Sequence, residues 1–214
     1  MRFQTAVRNG VDSVVTFQLM RGGIVQTLNF GLDEFIFVVI IAAGLVMVLH
    51  TPGASAQENP VVVMETSMGT ISIELFEERA PISVENFLGY VDERHYDGTI
   101  FHRVIAFMIQ GGAFTPDMRG KAVRAPIKNE AANGVNNDKY TVAMARTSAV
   151  DSATDQFFIN TVDNNALNNG VRDFGYAVFG RVVDGSAVVD RIAGTPVTNT
   201  VPNDPVVIQS IRRR

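Results

Sequence analysis

Few of the residue combinations that enzymes use for catalysis occur in this chain. It has no cysteine, which excludes thiolate nucleophiles, zinc–thiolate sites and disulfides. His95 and His102 stand seven positions apart, whereas two histidines that bind zinc from one helix stand four apart. Neither the G-x-S-x-G motif of hydrolases nor a G-x-x-x-x-G-K phosphate-binding loop is present. We therefore expect no metal site, and a hydrolase that uses His102 as its base is the weakest alternative.

The segment 101–112, FHRVIAFMIQGG, places one permanent cation in an otherwise apolar run. Arg103 on a strand can lie at the surface and cover apolar neighbours with its methylene groups, which is an ordinary structural role. It can also form a fixed cation beside an apolar pocket made by Phe107 and Met108. The segment by itself leaves both interpretations open.

Strand-like patterns dominate the chain from Pro60 onward. Residues 71–75, ISIEL, alternate apolar and polar side chains, as a strand with one buried face does. Gly69 supplies the turn that joins them to the preceding strand. The further predicted strands are Val61–Glu65, Thr99–Ile105, Met108–Gly111, Tyr140–Ala145, Gln156–Val162, Tyr176–Val182 and Pro205–Ile211.

Two helices are predicted among these strands. Pro81 opens the first, which runs to about Glu93 with apolar residues at helical spacing, namely Val84, Phe87, Leu88 and Val91. The second covers residues 185–193, with Asp184 as its N-cap and Gly194 as its end. Many short strands with two helices predict a mainly β fold, an antiparallel barrel with helices at its ends.

The first 56 residues differ from the rest. Residues 35–49, FIFVVIIAAGLVMVL, contain no charge and are shorter than the roughly 20 residues of a membrane span, but they suit the apolar core of a secretory signal. The small residues Ala54, Ser55 and Ala56 follow at a suitable cleavage position. We expect cleavage after Ala56, which divides the chain into a signal peptide or membrane anchor, residues 1–56, and one domain, residues 57–214.

Two features of the N-terminal segment leave alternatives to this interpretation. The leader ahead of the apolar run is long, and Asp33 and Glu34 lie where signal peptides usually carry positive charge. Translation from Met20 would shorten the leader. An uncleaved anchor and an organellar transit segment are the other two interpretations.

Composition and charge exclude several classes of protein. A hydrophobic content of 46% with 19% charged residues is typical of a globular chain rather than a disordered one. The net charge is −4, and no basic stripe that could neutralise nucleic-acid phosphates is visible. We therefore expect no nucleic-acid partner.

Several blocks along the chain resemble, in order, those of the cyclophilins, a family of peptidyl-prolyl cis-trans isomerases. The blocks are FHRVI and FMIQGG at 101–112, IKNEA at 127–131, AMAR at 143–146, DSATDQFFIN at 151–160 and FGYAVFGRVVDG at 174–185. The resemblance is strongest to the exported bacterial group, in which the run RDFGY at 172–176 is also expected. It implies a closed eight-stranded barrel capped by two helices, a monomer in the periplasm, and rotation about X–Pro bonds of folding or unfolded exported polypeptides without a cofactor.

The resemblance also implies which residues form the site. Arg103 matches the catalytic arginine, a planar cation that can stabilise the twisted amide, and Gln110 matches the residue that orients it. The residues that match the walls of the proline pocket are Phe107, Met108, Phe158 and Leu167. The backbone of Ala145 and Arg146 is expected to pair with the residues before proline. Gln156 and Tyr176 match further positions of the substrate groove.

This chain departs from the family pattern at several places: Arg146 replaces a common asparagine, Tyr176 replaces a groove histidine, and two further departures bear on rate and on drug binding. Only Ala106 stands between Ile105 and Phe107, where the family usually has two residues, and the deletion could move Arg103 relative to Phe107. Ala166 stands where an aromatic residue usually closes the groove, so we expect weak cyclosporin binding. A proline-peptide binding module, or holdase chaperone, with little turnover is therefore the alternative function.

Overall fold

In the computed structural model, residues 3–6, 14–21, 24–31 and 58–214 are described. The chain divides into two units, residues 1–57 and 58–214. The first contains a three-stranded antiparallel sheet, whose strands in order are β1 (Phe3–Ala6), β2 (Val14–Arg21) and β3 (Ile24–Gly31). The apolar run 35–49 and the expected cleavage site at Ala56 lie outside the described residues. Among the described residues, no helix combines the length and the apolar composition that crossing a bilayer requires.

The second unit begins with a hairpin formed by the predicted alternation of side chains. Strand β4 (Val61–Thr66) pairs with strand β5 (Gly69–Leu75), and their inward side chains, such as those of Val62 and Ile73, are fully buried. Gly69 adopts a φ of +127°, a backbone conformation that side chains disfavour, so a glycine suits this turn.

Eight antiparallel strands form a closed barrel. Besides the first hairpin, they are β6 (Thr99–Ile105), β7 (Met108–Gly111), β8 (Thr141–Met144), β9 (Phe157–Asn160), β10 (Val178–Asp184) and β13 (Val207–Arg213). Their order around the barrel is β10-β5-β4-β13-β6-β7-β9-β8, which confirms the expected fold. Every predicted barrel strand is present, and where the observed bounds differ from the predicted ones, they differ only at the strand ends. A small sheet of β11 (Val197–Thr198) and β12 (Val201–Pro202) was not predicted.

Two α-helices pack on the barrel. Helix α1 (Pro81–Asp92) and helix α2 (Ser186–Ala193) bury the apolar faces that their sequences predict. These buried residues are Val84, Phe87, Leu88 and Val91 on α1, and Val188, Val189 and Ile192 on α2. Gly194 ends α2, as predicted.

The predicted N-cap of α2 is wrong. Asp184 belongs to β10, and Gly185 occupies the cap position with a φ of +83°. The Asp184 carboxylate accepts a hydrogen bond from the Gly185 N–H (2.8 Å) rather than capping the helix. A Cβ at Gly185 would lie 2.2 Å from the carbonyl oxygen of Thr70, so the close approach of β5 requires glycine here.

Candidate active site

A row of side chains crosses four adjacent strands on the outer face of the barrel. Arg103 on β6 lies opposite Gln110 on β7, Gln110 lies opposite Phe158 on β9, and Phe158 lies opposite Ala143 on β8. Strand register therefore brings together residues that are up to 55 positions apart in the sequence. Neighbouring residues such as Ile109 point the other way and are fully buried in the barrel core.

The floor of the site is a second apolar cluster, separate from the barrel core. Its buried members are Met108, Ala143, Phe158, Leu167 and Val178, with Tyr176 and Ala145 packed against them. Above this floor lies a groove with a volume of about 230 Å³. We call this the groove; it is lined by Arg103, Phe107, Met108, Gln110, Ala145, Arg146, Phe158, Leu167, Arg172 and Tyr176.

A chain of hydrogen bonds orients the arginine of β6. The Nη1 of Arg103 donates to Oε1 of Gln110 (3.2 Å), and Nε2 of Gln110 donates to Oε1 of Gln156 (2.8 Å). Arg103 itself is exposed, so its guanidinium faces the groove with donors that a bound molecule can use. The arrangement supplies a positioned, permanently charged hydrogen-bond donor beside an apolar floor.

The β6–β7 hairpin accommodates the missing residue in its loop. Ile105 pairs with Met108, which leaves a two-residue turn of Ala106 and Phe107. The N–H of Thr161 (3.0 Å) and the side-chain amide of Asn164 (2.8 Å) both donate to the carbonyl of Phe107. The ring of Phe107 is 38% exposed at the edge of the groove. The deletion thus leaves Arg103 and Phe107 on the same groove.

Arg146 supports the opposite wall of the groove. Its side chain is only 4% exposed, and it donates to the carbonyls of Gly175 (2.9 Å) and Thr147 (3.0 Å) and to the carboxylate of Asp173 (2.7 Å). Its guanidinium carbon also lies 4.5 Å from the ring centre of Tyr176, in a cation–π contact. Arg146 therefore fixes Tyr176, whose ring stands edge-on to that of Phe158.

Asp173 is the carboxylate that pairs with Arg146 on this wall. The N–H of Gly175 donates to it (2.7 Å), and this bond, with the nearby charges of Arg146 and Arg172, lowers its pKa below the usual range. The carboxylate is therefore ionised at neutral pH.

Nine of the ten site residues expected from the sequence line the groove, and Gln156 does not. Gln156 lies in a neighbouring polar pocket of about 160 Å³ and reaches the groove through Gln110. Arg172 lines the groove although sequence reasoning gave it no role. The available signal was its place in the RDFGY run at 172–176, which the resemblance to the bacterial group includes but which does not say where the side chain points. Ala166 is exposed in the 3-10 turn Asn165–Leu167, outside the set of lining residues.

His102 does not face the groove. It is 8% exposed, its ring packs edge-on against Phe114, and burial lowers its pKa. The other histidine considered, His95, pairs with the buried carboxylate of Asp155 (2.9 Å). This geometry gives no support to a hydrolase that uses His102. In the part of the chain that the structure describes, no group of three or more His, Asp or Glu side chains is placed to hold a metal ion.

Comparison with known proteins gives consistent matches over the barrel unit. Residues 61–213 match the family model described as cyclophilin type peptidyl-prolyl cis-trans isomerase/CLD. The chain is 52% identical to a peptidyl-prolyl cis-trans isomerase of Acinetobacter baylyi over 181 residues, which cover 82% of this chain and 94% of the relative. It is 50% identical to peptidyl-prolyl cis-trans isomerase B of Escherichia coli over 160 residues, which cover 71% of this chain and 98% of the relative.

A solved structure gives the same result. A cyclophilin type peptidyl-prolyl cis-trans isomerase of Cryptosporidium parvum, crystallised in the presence of the dipeptide Ala-Pro, superposes with a TM-score of 0.64 at 28% sequence identity. The match covers 72% of this chain and 98% of that chain.

Proposed function

The chain belongs to the cyclophilin-type peptidyl-prolyl cis-trans isomerases and is an enzyme of that activity, and we propose that Arg103 is its catalytic residue and that exported polypeptides are its substrates. The catalytic role of Arg103 is supported by its position, because Gln110 holds it beside an apolar floor. The proposal that the substrates are exported polypeptides rests on the N-terminal sequence.

The reaction explains why a guanidinium suits this position. Rotation about a peptide bond has a barrier of about 18–20 kcal/mol because amide resonance is lost in the twisted state. The prolyl nitrogen then regains a lone pair that can accept a hydrogen bond. Arg103 donates to that lone pair, and it needs no proton transfer because arginine stays charged at physiological pH. No bond is made or broken.

The floor of the groove holds the prolyl ring while the other side of the bond turns. Met108 and Phe158 supply apolar surface from below, and the exposed ring of Phe107 closes one edge. The Ala-Pro dipeptide used with the Cryptosporidium relative supports a prolyl occupant for this groove.

The backbone of residues 145–146 is suited to bind the residues before proline. The N–H of Ala145 already donates to the carbonyl of Gln156 (2.9 Å), so the Ala145 carbonyl is the group that accepts a hydrogen bond from the substrate. Together with the Arg146 backbone it acts as a short strand edge to which an extended peptide can add.

Export is proposed from the apolar run 35–49 and the small residues ending at Ala56. The enzyme would act in the periplasm, free or tethered by an uncleaved segment. Fractionation of cells that express the full chain, with sequencing of the mature N-terminus, tests this: a periplasmic protein that begins at Gln57 is expected. A cytoplasmic protein that retains residues 1–56 contradicts it.

The catalytic assignment is tested by replacing Arg103. In a protease-coupled assay on a proline tetrapeptide, Arg103→Ala should lower kcat/KM about 100-fold, close to 3 kcal/mol of transition-state stabilisation, while Arg103→Lys recovers only part because an ammonium lacks the planar fork. Arg213→Ala, which removes an exposed arginine paired with Asp92 on α1, is the matched control and should retain wild-type activity.

Two further measurements test whether Arg103 is the catalytic residue and whether the protein is an isomerase rather than a holdase. The wild-type rate should be nearly constant from about pH 5.5 to 8, because arginine does not titrate there. A step that disappears in His102→Gln would transfer the role to His102. A protein that binds proline peptides but leaves their isomerisation rate unchanged would be the holdase alternative.

A further inference from the structure

The groove is cationic although the chain as a whole is acidic. Among the described residues that line it are three arginines, Arg103, Arg146 and Arg172, and no aspartate or glutamate. Asp173 contacts two of these guanidiniums from outside the set of lining residues, at 2.7 Å and 3.4 Å. Three cations against one carboxylate leave a local charge of about +2 at the groove, in a chain of net charge −4.

The three arginines differ in how many of their N–H groups already donate hydrogen bonds to protein oxygens. Arg146 is 4% exposed, and its Nε, Nη1 and Nη2 atoms all donate to protein oxygens. Arg103 is held by Gln110 at the catalytic position. Arg172 is 55% exposed and makes one long contact, 3.4 Å, with the adjacent Asp173, whose carboxylate also accepts hydrogen bonds from Arg146 and from the Gly175 N–H. Apart from the catalytic Arg103, Arg172 is therefore the groove cation whose donors remain available to a ligand.

We propose that Arg172 is a specificity-determining residue that makes the groove prefer prolyl peptides with a carboxylate within two residues of the proline. The inference rests on the proposed function of the groove. Arg172 lines the same groove as Met108 and Phe158, so a peptide whose proline rests on those two side chains lies in one groove with this cation. A carboxylate there gains an ion pair, whereas a lysine meets uncompensated positive charge.

The expected size of the preference follows from the exposure of Arg172. A half-exposed ion pair with water access favours the charged ligand only modestly, so the glutamate peptide should exceed its glutamine isostere in kcat/KM by about threefold to fivefold at low ionic strength. The preference should shrink toward unity in 0.5 M salt, because added ions screen a pair of this kind.

The test uses the full chain and peptides that differ only in charge. Glutamate and glutamine are compared at each of the two positions before and the two positions after proline, with isomerisation measured by NMR exchange and binding by NMR titration. The glutamate preference should appear in at least one position, fall to about unity in Arg172→Gln and largely survive in Arg172→Lys. Arg213→Gln removes the same charge far from the groove residues and should keep the wild-type preference.

The outcomes separate this inference from the proposed function. Equal rates and affinities for glutamate and glutamine peptides, or a preference that survives in Arg172→Gln, would overturn the role of Arg172 and leave the isomerase intact. Absence of isomerisation for every peptide would overturn the proposed mechanism instead. The titrations would then still decide whether Arg172 selects acidic peptides.

Discussion

The first helix is capped by a carboxylate from a distant loop, and removing that carboxylate should destabilise the domain. Helix α1 begins at Pro81 behind Ala80, which has no side chain able to cap it. Glu130 supplies the missing acceptors: one oxygen binds the Ile82 N–H (3.1 Å), and the other binds the Ser83 N–H and hydroxyl (2.7 Å each). Glu130 belongs to the IKNEA block, whose purpose is not evident from sequence.

The size of the effect follows from these contacts. Glu130→Ala removes three hydrogen bonds to a carboxylate at the positive end of a helix dipole, and it leaves the hydroxyl of Ser83, which is fully buried, without that acceptor. The site is only partly buried, so we expect a loss of about 2–3 kcal/mol in the free energy of unfolding. At about 2–4 °C per kcal/mol for a domain of this size, Tm should fall by about 4–12 °C.

Urea and thermal unfolding followed by circular dichroism measure this loss. Glu130→Gln keeps an acceptor oxygen without the charge and should cost about half as much. Glu85→Ala, the same substitution on the exposed face of α1, is the matched control and should change the free energy of unfolding by less than about 0.5 kcal/mol. If Glu130→Ala is no more destabilising than Glu85→Ala, the capping argument is wrong. The kcat/KM of the folded fraction should be unchanged, because Glu130 does not line the groove.

Three other predictions concern the groove and the buried histidine. Asn164→Ala removes one of the two hydrogen bonds to the Phe107 carbonyl and should lower kcat/KM by about threefold to tenfold with a loss of roughly 1 kcal/mol in stability, measured by isomerase assay and urea unfolding. Burial lowers the pKa of His102, so the unfolded chain binds more protons than the folded one as pH falls through about 6.5. The free energy of unfolding therefore decreases over this range, and His102→Gln should weaken the decrease between pH 7.5 and 5.5 in urea titrations. Ala166 is not itself a lining residue but stands next to Leu167, which is, so a larger ring there can reach the groove. Ala166→Trp should then tighten cyclosporin roughly tenfold or more in calorimetric titrations, whereas equal affinities would mean that residue 166 does not face the groove.

Local patterns predicted the elements because each depends on its own residues. The alternation in residues 71–75 and the helical spacing of Val84, Phe87, Leu88 and Val91 reflect which side chains are buried, and both were confirmed. The N-cap of α2 was predicted incorrectly for an equally local reason. Asp184 has the usual capping side chain, but the close approach of Gly185 to β5 places the start of the helix one residue later.

Contacts between distant segments could not be predicted in this way. Glu130 caps a helix that begins almost 50 residues earlier, and no periodicity connects the two. Arg172 lies in a loop of exposed residues whose side-chain directions depend on the Asp173 and Gly175 turn. The family resemblance supplied the rest of the groove, because it matches positions that the barrel brings together.

The shortened β6–β7 loop shows why the groove can tolerate a deletion so close to Arg103. Val104 and Ile109 pair across the hairpin and are buried in the barrel core. A slip of one residue would turn every side chain of the slipped strand to the opposite face, and Met108 would enter the core while Ile109 met the groove. Core packing therefore holds the register, the Arg103–Gln110 pair keeps its place, and the missing residue is removed from the turn at Ala106 and Phe107. The position of Phe107 then depends on the hydrogen bonds that its carbonyl accepts from Thr161 and Asn164. If the deletion lowers the isomerisation rate, we expect the loss to arise from a change in these two hydrogen bonds.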